Sequence, residues 1–138
     1  WVEGEELTFD LLADPQGELR MACARRRLRV SAGISVAGEI VSSAPFLGLL
    51  ERIVRGIPLP GPSCLQCNVG RDGEAMFTDL NPRLGGGVAL ALAGGTPILG
   101  GILAGLRGEP IRRSFDAGVG LRFLRKYDEV YLEPGASL

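Results

Sequence analysis

A stretch of 23 residues without a charged side chain, residues 84–106, constrains the fold more than any other feature of this sequence. A run of that length and hydropathy has to be buried, either in a membrane or in a protein core. The stretch contains eight glycines, and Gly94-Gly95-Thr96-Pro97 is typical of a helix end followed by a new helix start. We therefore expect two short buried helices, at about 88–94 and 97–107. A single transmembrane helix, which the Gly101-x-x-x-Gly105 spacing would suit, is the alternative.

Upstream of this stretch, the pattern predicts two β-hairpins with one helix between them. Apolar and polar residues alternate over residues 5–12, a turn signal follows at Asp14-Pro15-Gln16-Gly17, and a second strand runs over 18–30. Residues 44–56 have helical spacing, and Ser42 or Ser43 would cap that helix. The second hairpin pairs residues 63–69 with 74–81.

The tail completes the predicted architecture. Residues 111–132 are expected to form two further strands around Tyr127-Asp128-Glu129. Strands beside helices without a βαβ rhythm predict an α+β fold, an antiparallel sheet with packed helices. Because the chain starts in what reads as a strand, we expect residues 1–138 to be one portion of a longer protein.

Composition excludes several functions. The chain has no histidine, which rules out Ser-His-Asp and Cys-His catalysis and histidine metal sites. Its 15 basic and 16 acidic residues nearly cancel, so charge gives no reason to expect nucleic acid or a membrane as partner. Three cysteines suit a reducing, cytoplasmic location and give no disulfide framework.

The second hairpin concentrates oxygen ligands on one face. If Gly70 pairs with Gly73, Gln66 faces Phe77, and both Asp79 and Asn81 share the face of Gln66. One carboxylate and two side-chain carbonyl oxygens are hard ligands of the kind that Mg²⁺ accepts beside phosphate oxygens and water. A solvated hairpin face is the alternative.

A phosphate-binding segment follows directly. Arg83 can hold phosphate oxygens by bidentate bonds, and Gly85-Gly86-Gly87 leads into a predicted helix, an arrangement suited to anions. The glycines could instead serve helix packing. The residues alone therefore favour a Mg-nucleotide phosphate site.

The segment Asp79-Leu80-Asn81-Pro82-Arg83-Leu84-Gly85-Gly86-Gly87 closely resembles the metal-binding motif of ATP-grasp ligases, nearest to the branch that includes the carbamoyl phosphate synthase large subunit. Gly61-Pro62-Ser63-Cys64-Leu65-Gln66 is similar to the strand that carries the first metal ligand of that branch. Gly4-Glu5-Glu6-Leu7-Thr8-Phe9-Asp10 resembles the strand whose glutamate meets the nucleotide ribose, with Glu6 as the match. The resemblance extends over essentially the whole chain.

The resemblance implies a fold, a mechanism and ligands. Residues 1–138 would be the C-terminal part of an ATP-grasp domain, and the elements that cover ATP would precede Trp1. Gln66, Asp79 and Asn81 would hold Mg²⁺, or Mn²⁺, with ATP, while Arg83 would steady the transferred phosphoryl group. The parent enzyme would activate a small carboxylate as an acyl phosphate for attack by an amine. The alternative is a non-catalytic interaction module.

The sequence departs from the family pattern in ways that limit the analogy. The family usually has Glu where Asp79 stands, which puts bridging of two metals in doubt more than binding of one. Val36 and Gly86 stand about where carbamoyl phosphate synthase carries a histidine and a second arginine. We therefore do not expect carbamoyl phosphate synthesis.

Other conspicuous residues have mostly structural interpretations. Cys64 and Cys67 would point to opposite strand faces, against a metal or redox role. The run Arg25-Arg26-Arg27-Leu28-Arg29 is solvated or acid-paired, with Asp10 as a possible partner, or else Arg27 or Arg29 faces the ATP site. Lys126 is expected to be a surface charge.

Overall fold

The computed structural model describes residues 4–57, 59–129 and 131. The elements in chain order are β1 (Gly4–Ala13), β2 (Leu19–Ser31), β3 (Ile34–Val41), a 3₁₀ turn (Ala44–Phe46), α1 (Leu47–Gly56), β4 (Gly61–Gly70), β5 (Ala75–Asn81), α2 (Val88–Ala93), α3 (Ile98–Leu106), β6 (Ser114–Phe115) and β7 (Arg122–Leu124). Both predicted hairpins, the predicted helix and the pair of short helices are present, within a few residues of the expected bounds.

All seven strands belong to one sheet, in which the path β5-β4-β1-β2-β3-β7 is antiparallel throughout. The two-residue β6 lies off this path and pairs in parallel with β2. The predicted α+β class, an antiparallel sheet with packed helices, is confirmed. Strands β1 and β4 are paired over ten residues, and β1 and β2 lie at the middle of the sheet order.

Alternation along β1 gives the sheet two different faces. Leu7, Phe9 and Leu11 are buried on one of them and pack in one cluster with Leu50 and Val54 of α1. We call this the α1 face. Burial of these apolar side chains supplies most of the free energy that holds α1 on the sheet.

The opposite face carries Thr8, Asp10 and Leu12 of β1 and is covered only in part. Leu12 packs in a second cluster with Leu90 of α2 and Ile98 of α3. Beyond these helices the face is open, and we call it the cleft face. Thr8 and Asp10 are nevertheless buried, because the segment that precedes α2 lies over them.

The uncharged stretch forms the two short helices rather than one long one. Pro97 precedes α3 directly, as the stop-and-start signal predicts. Gly101 faces the sheet, where a methyl group built on it would lie 2.5 Å from Cδ2 of Leu12 and 2.7 Å from Cε of Met21. Within the part of the chain that the structure describes, no helix is long and apolar enough to cross a membrane.

Three predictions of secondary structure were wrong or incomplete. Strand β3 was not predicted; it follows a tight turn at Ala32 and Gly33, both with positive φ, as a type I′ hairpin requires. The tail strands β6 and β7 both end before residue 127, so 127–129 is not the turn between them. Ser43 precedes the 3₁₀ turn without capping it, and the hydroxyls of Ser42 and Ser43 donate to the Asp116 carboxylate. Oγ of Ser42 also accepts from the backbone N–H of Ala44 at 3.2 Å, so Ser42 is the serine that contacts the start of the turn.

Candidate functional site

A cleft of about 260 Å³ opens on the cleft face of the sheet, beside the loop that precedes α2. Five strands and two loops contribute to its walls. The lining residues are Thr8, Arg25, Arg27, Gly33, Ile34, Ser35, Cys64, Gln66, Asp79, Asn81, Arg83, Gly85, Gly86 and Gly87. The cleft thus contains four of the five residues that the sequence singles out; Glu6 does not line it.

One row of residues crosses the floor of the cleft at right angles to the strands. Arg25 of β2 pairs with Thr8 of β1, Thr8 pairs with Gln66 of β4, and Gln66 pairs with Asp79 of β5. Side chains in directly opposed positions lie on the same face, with Cβ atoms about 5 Å apart. The row therefore places a cation at one end and a carboxylate at the other.

The register of the second hairpin differs from the prediction. Gln66 faces Asp79 directly, not Phe77, for two reasons. The turn pairs Gly70 with Glu74 and not with Gly73, which moves the register by one residue. A bulge in β5 between the partners of Gln66 and Cys67 moves it by a second residue. The extra residue is Thr78, and Phe77 packs with Cys67 on the α1 face. The bulge brings the amide and the carboxylate closer together than the predicted diagonal arrangement would.

The neighbouring row continues the site. Asp10 of β1 pairs with Cys64 of β4, and Cys64 pairs with Asn81 of β5. The Asn81 amide Nδ2 donates to Oδ2 of Asp79. Among the described residues, no arginine or lysine lies within ion-pair distance of the Asp79 carboxylate. Asp79 thus offers an exposed negative charge with a neutral amide on each side.

Beneath the cleft, Asp10 and Arg25 form a buried ion pair. Nε of Arg25 donates to Oδ2 of Asp10 at 2.5 Å and Nη2 to Oδ1 at 3.1 Å, and the side chains are 4% and 2% exposed. Burial lowers the pKa of the Arg25 guanidinium, but the Asp10 carboxylate more than offsets this and holds that pKa above its ordinary value. The predicted pairing of Asp10 with the arginine run is confirmed.

Arg27 and Glu6 form the next ion pair along the hairpin. Nη1 of Arg27 donates to Glu6, and Nη2 donates to the carbonyl oxygen of Gly33 at 2.9 Å. Arg27 lines the cleft, whereas Arg29, the alternative within the run, is exposed outside it. Glu6 does not line the cleft itself but pairs with Arg27, which does. The role of Glu6 at a nucleotide ribose stays a prediction.

The thiols near the cleft are poor ligands. Burial, with the Asp10 charge adding to it, raises the pKa of the Cys64 thiol, and burial raises the pKa of Cys67 to about 11. Both thiols are therefore protonated at neutral pH, and they face opposite sides of the sheet. In the described ranges, no three His, Cys, Asp or Glu side chains are grouped so as to hold a metal ion.

The glycine turn closes the cleft on the side of α2. It follows Arg83, whose Nη1 donates to the carbonyl oxygen of Leu84 at 3.0 Å. Nη2 of Arg125 donates to the carbonyl oxygen of Gly86 at 3.2 Å. The helix after the turn has only six residues, so its dipole adds little to the anion site that the sequence predicts.

Sequence reasoning missed five lining residues, of which Thr8 and Arg25 lie on the floor of the cleft and Gly33, Ile34 and Ser35 lie at the β2–β3 turn. Thr8 is 3% exposed and Arg25 is 3% exposed, so neither looks like an accessible site residue. The signal that could have found Arg25 is the position of Asp10, since a carboxylate on a buried strand needs a cation opposite it.

A family model described as "ATP-grasp in the biosynthetic pathway with Ter operon" matches residues 1–124 of the chain. Comparison with curated protein sequences finds no match.

Solved structures with the same fold share little sequence with the chain. The biotin carboxylase domain of the Hydrogenobacter thermophilus 2-oxoglutarate carboxylase, in complex with MgADP, ADP and bicarbonate, has a TM-score of 0.71 at 15% identity, over 87% of this chain and 28% of that one. The phosphoribosylaminoimidazole carboxylase ATPase subunit of Aquifex aeolicus has a TM-score of 0.65 at 14% identity, over 82% of this chain and 36% of that one. The Staphylococcus aureus N5-carboxyaminoimidazole synthetase complexed with ADP has a TM-score of 0.68 at 8% identity, over 83% of this chain and 32% of that one. The chain thus has an ATP-grasp fold and spans about a third of the length of these proteins.

Proposed function

The chain belongs to the ATP-grasp family, and from that premise we propose that its cleft holds the metal ion and phosphates of Mg-ATP in an ATP-dependent ligase. The ligase would activate a small-molecule carboxylate as an acyl phosphate for attack by an amine. The observation that carries the proposal is the direct opposition of Gln66 and Asp79, with Asn81 beside them in the same cleft.

The donor set of the cleft fits one magnesium ion. Mg²⁺ prefers oxygen ligands and keeps several waters, so one or two protein carboxylates with substrate phosphates complete its shell. Asp79 supplies the carboxylate, and Gln66 and Asn81 supply amide oxygens. The thiol of Cys64 is protonated and does not compete. Because only one of the three ligands is charged, a single metal suits this site better than two.

When bound, the metal would neutralise charge on the triphosphate as the phosphoryl group is transferred. The chain's own contribution is binding and orientation. Arg83 lines the cleft without a carboxylate partner among the described residues, so its guanidinium is available for phosphate oxygens. Arg27 is held by Glu6 and would contribute positive potential from the opposite wall. Positioned charges of this kind carry most of the catalysis in phosphoryl transfer.

We further propose that residues 1–138 form the C-terminal portion of the ATP-grasp domain, with the parts that cover ATP supplied by the rest of the enzyme. The MgADP and ADP named with the structural neighbours support a nucleotide in this cleft. Placement in the branch of the carbamoyl phosphate synthase large subunit rests on Gln66 and the motif from Asp79 to Gly87. The three free cysteines suit the cytoplasm.

Titration calorimetry of Mg-ATP with the full-length protein tests the proposal. Asp79→Asn is expected to weaken Mg-ATP binding by about 10–100-fold, because it removes a charged interaction of about 1.5–3 kcal/mol. Glu109→Gln, which removes an exposed carboxylate from another part of the surface, is the matched control and should bind as the wild type does. Equal affinity of the wild type and Asp79→Asn would contradict the metal assignment. Absence of binding by the wild type would favour the interaction module.

A further inference from the structure

We infer that Asp10 and Arg25 are positioning residues, whose buried ion pair supports the turn Gly85-Gly86-Gly87 and thereby fixes the chain between Asn81 and α2 along the cleft. The inference rests on the proposed function in one respect, namely that the cleft binds the phosphates of a Mg-nucleotide. It concerns two side chains that would not themselves touch the metal.

The ion pair lies buried at the middle of the sheet. Asp10 and Arg25 lie on β1 and β2, the two strands at the middle of the sheet order, and both are almost fully buried. Two hydrogen bonds join the carboxylate to the guanidinium fork, so the plane of the guanidinium is fixed. A group fixed in this way can act as a support for whatever packs on it.

The glycine turn packs directly on this pair. A methyl group built on Gly87 would lie 2.0 Å from Nη1 of Arg25, and one on Gly85 would lie 2.8 Å from Sγ of Cys64 and 3.0 Å from Oδ1 of Asp10. Gly86, between them, has no atom within 4 Å of such a methyl group. Gly87 is therefore required by close approach of the backbone to Arg25, and Gly85 by its approach to both Cys64 and Asp10, whereas Gly86 is not required by packing.

The turn is connected to the ligands on both sides. Asn81 and Arg83 precede it by a few residues, and the row Asp10–Cys64–Asn81 joins the same ion pair to Asn81 across the sheet. Arg125 donates to the Gly86 carbonyl oxygen from the outer side of the turn. A shift of the ion pair would thus displace Asn81, Arg83 and the turn together. Supporting groups of this type commonly change ligand affinity by 10–100-fold.

Two pairs of matched variants of the full-length protein test the inference, with MgADP as the probe in calorimetry. Gly87→Ala introduces the clash with Arg25, and Gly48→Ala adds the same methyl group in open space on α1, away from the cleft. Arg25→Lys keeps the charge but loses the fork, and Arg20→Lys makes the same change in the pair of Arg20 with Asp14, which lies 2.6 Å apart outside the cleft. The melting temperature without nucleotide is measured for each variant.

We expect Gly87→Ala and Arg25→Lys to raise the Kd for MgADP by about 10–100-fold, and both controls to stay within about twofold. Because lysine lacks the Nη1 atom that the new methyl group meets, the double variant should lose less affinity than the product of the single losses. If Arg25→Lys does not fold, the comparison of Gly87→Ala with Gly48→Ala decides alone.

Two results would overturn the inference; one of them would leave the proposed function intact and the other would not. Wild-type affinity in Gly87→Ala and Arg25→Lys, with weakened binding in Asp79→Asn, would remove the positioning role and keep the proposed function. No binding of MgADP by the wild type would remove both.

Discussion

Gln66 and Asp79 are directly opposite each other on β4 and β5, and a bulge at Thr78 is the reason. Without it, the regular register would pair Gln66 with Thr78, and Asp79 would face the other side of the sheet. The bulge therefore determines that the carboxylate faces the cleft. The residue opposite this carboxylate is Gln66, whose amide is neutral, so the pair supplies one negative charge to a metal ion and not two.

We expect Gln66→Glu to destabilise the protein without metal and to strengthen its response to Mg²⁺. Two carboxylates directly opposite each other on adjacent strands repel, at a cost of about 0.2–1 kcal/mol. Bound Mg²⁺ would relieve the repulsion, so the rise in melting temperature on adding Mg²⁺ should exceed that of the wild type.

The control for this change is Gln16→Glu, which makes the same chemical change in the exposed turn between β1 and β2. It should not alter the response to Mg²⁺. An equal response in Gln66→Glu and in the wild type would show that position 66 does not bind the cation.

Asn81→Ala should leave stability without nucleotide almost unchanged. Among the described residues, Asn81 makes a side-chain hydrogen bond only to the exposed Asp79, so we expect a loss below about 0.5 kcal/mol. Affinity for the Mg-nucleotide should fall. Thermal unfolding with and without MgADP measures both effects. A large loss of stability without nucleotide would instead assign Asn81 a structural role.

Adjacent glycines of α3 should respond differently to the same substitution. A methyl group on Gly101 would meet Leu12 and Met21, whereas one on Gly100 has no atom within 4 Å. Both substitutions improve helix propensity equally, so the difference isolates packing. We expect Gly101→Ala to be less stable than Gly100→Ala by about 1–3 kcal/mol in denaturant unfolding. Equal stabilities would mean that α3 does not pack closely on the sheet.

The sequence was most informative where local signals and tertiary structure agree. The alternation along β1 and the stop signal before Pro97 predict elements that exist, because burial on one face enforces each pattern. The turn at Ala32 and Gly33 escaped prediction because alanine rarely adopts positive φ.

Of the candidate site, only the proposed metal ligands could be predicted from the sequence. Asp79 and Asn81 lie on one strand, two residues apart, so their shared face follows from the period of a strand. Neither the bulge at Thr78 nor the burial of Arg25 under the glycine turn has a local signature. Both depend on how distant segments pack, which a single sequence does not reveal.

Asp116 should make stability depend on pH at the acid end. Burial raises the pKa of this carboxyl, but the hydrogen bonds from Ser43 and Ser42 outweigh that and hold the pKa below its usual 3.8. A carboxyl whose pKa is lowered in the folded state contributes stability above pH 3.8, and the contribution is lost as the pH falls through its folded value. The backbone N–H of Ser43 donates to Oδ1 of Asp116 at 2.5 Å, which connects the segment that leads into α1 with the segment before β7.

Asp116→Asn keeps a side chain that tolerates the φ of 56° but removes the charge, so it should cost about 1 kcal/mol at neutral pH. In urea unfolding, the difference between the wild type and Asp116→Asn should shrink as the pH is lowered below 3.8. A difference that stays constant down to pH 2 would mean that shape and not charge makes the contact stable, since a carboxyl protonated in both states resembles the amide.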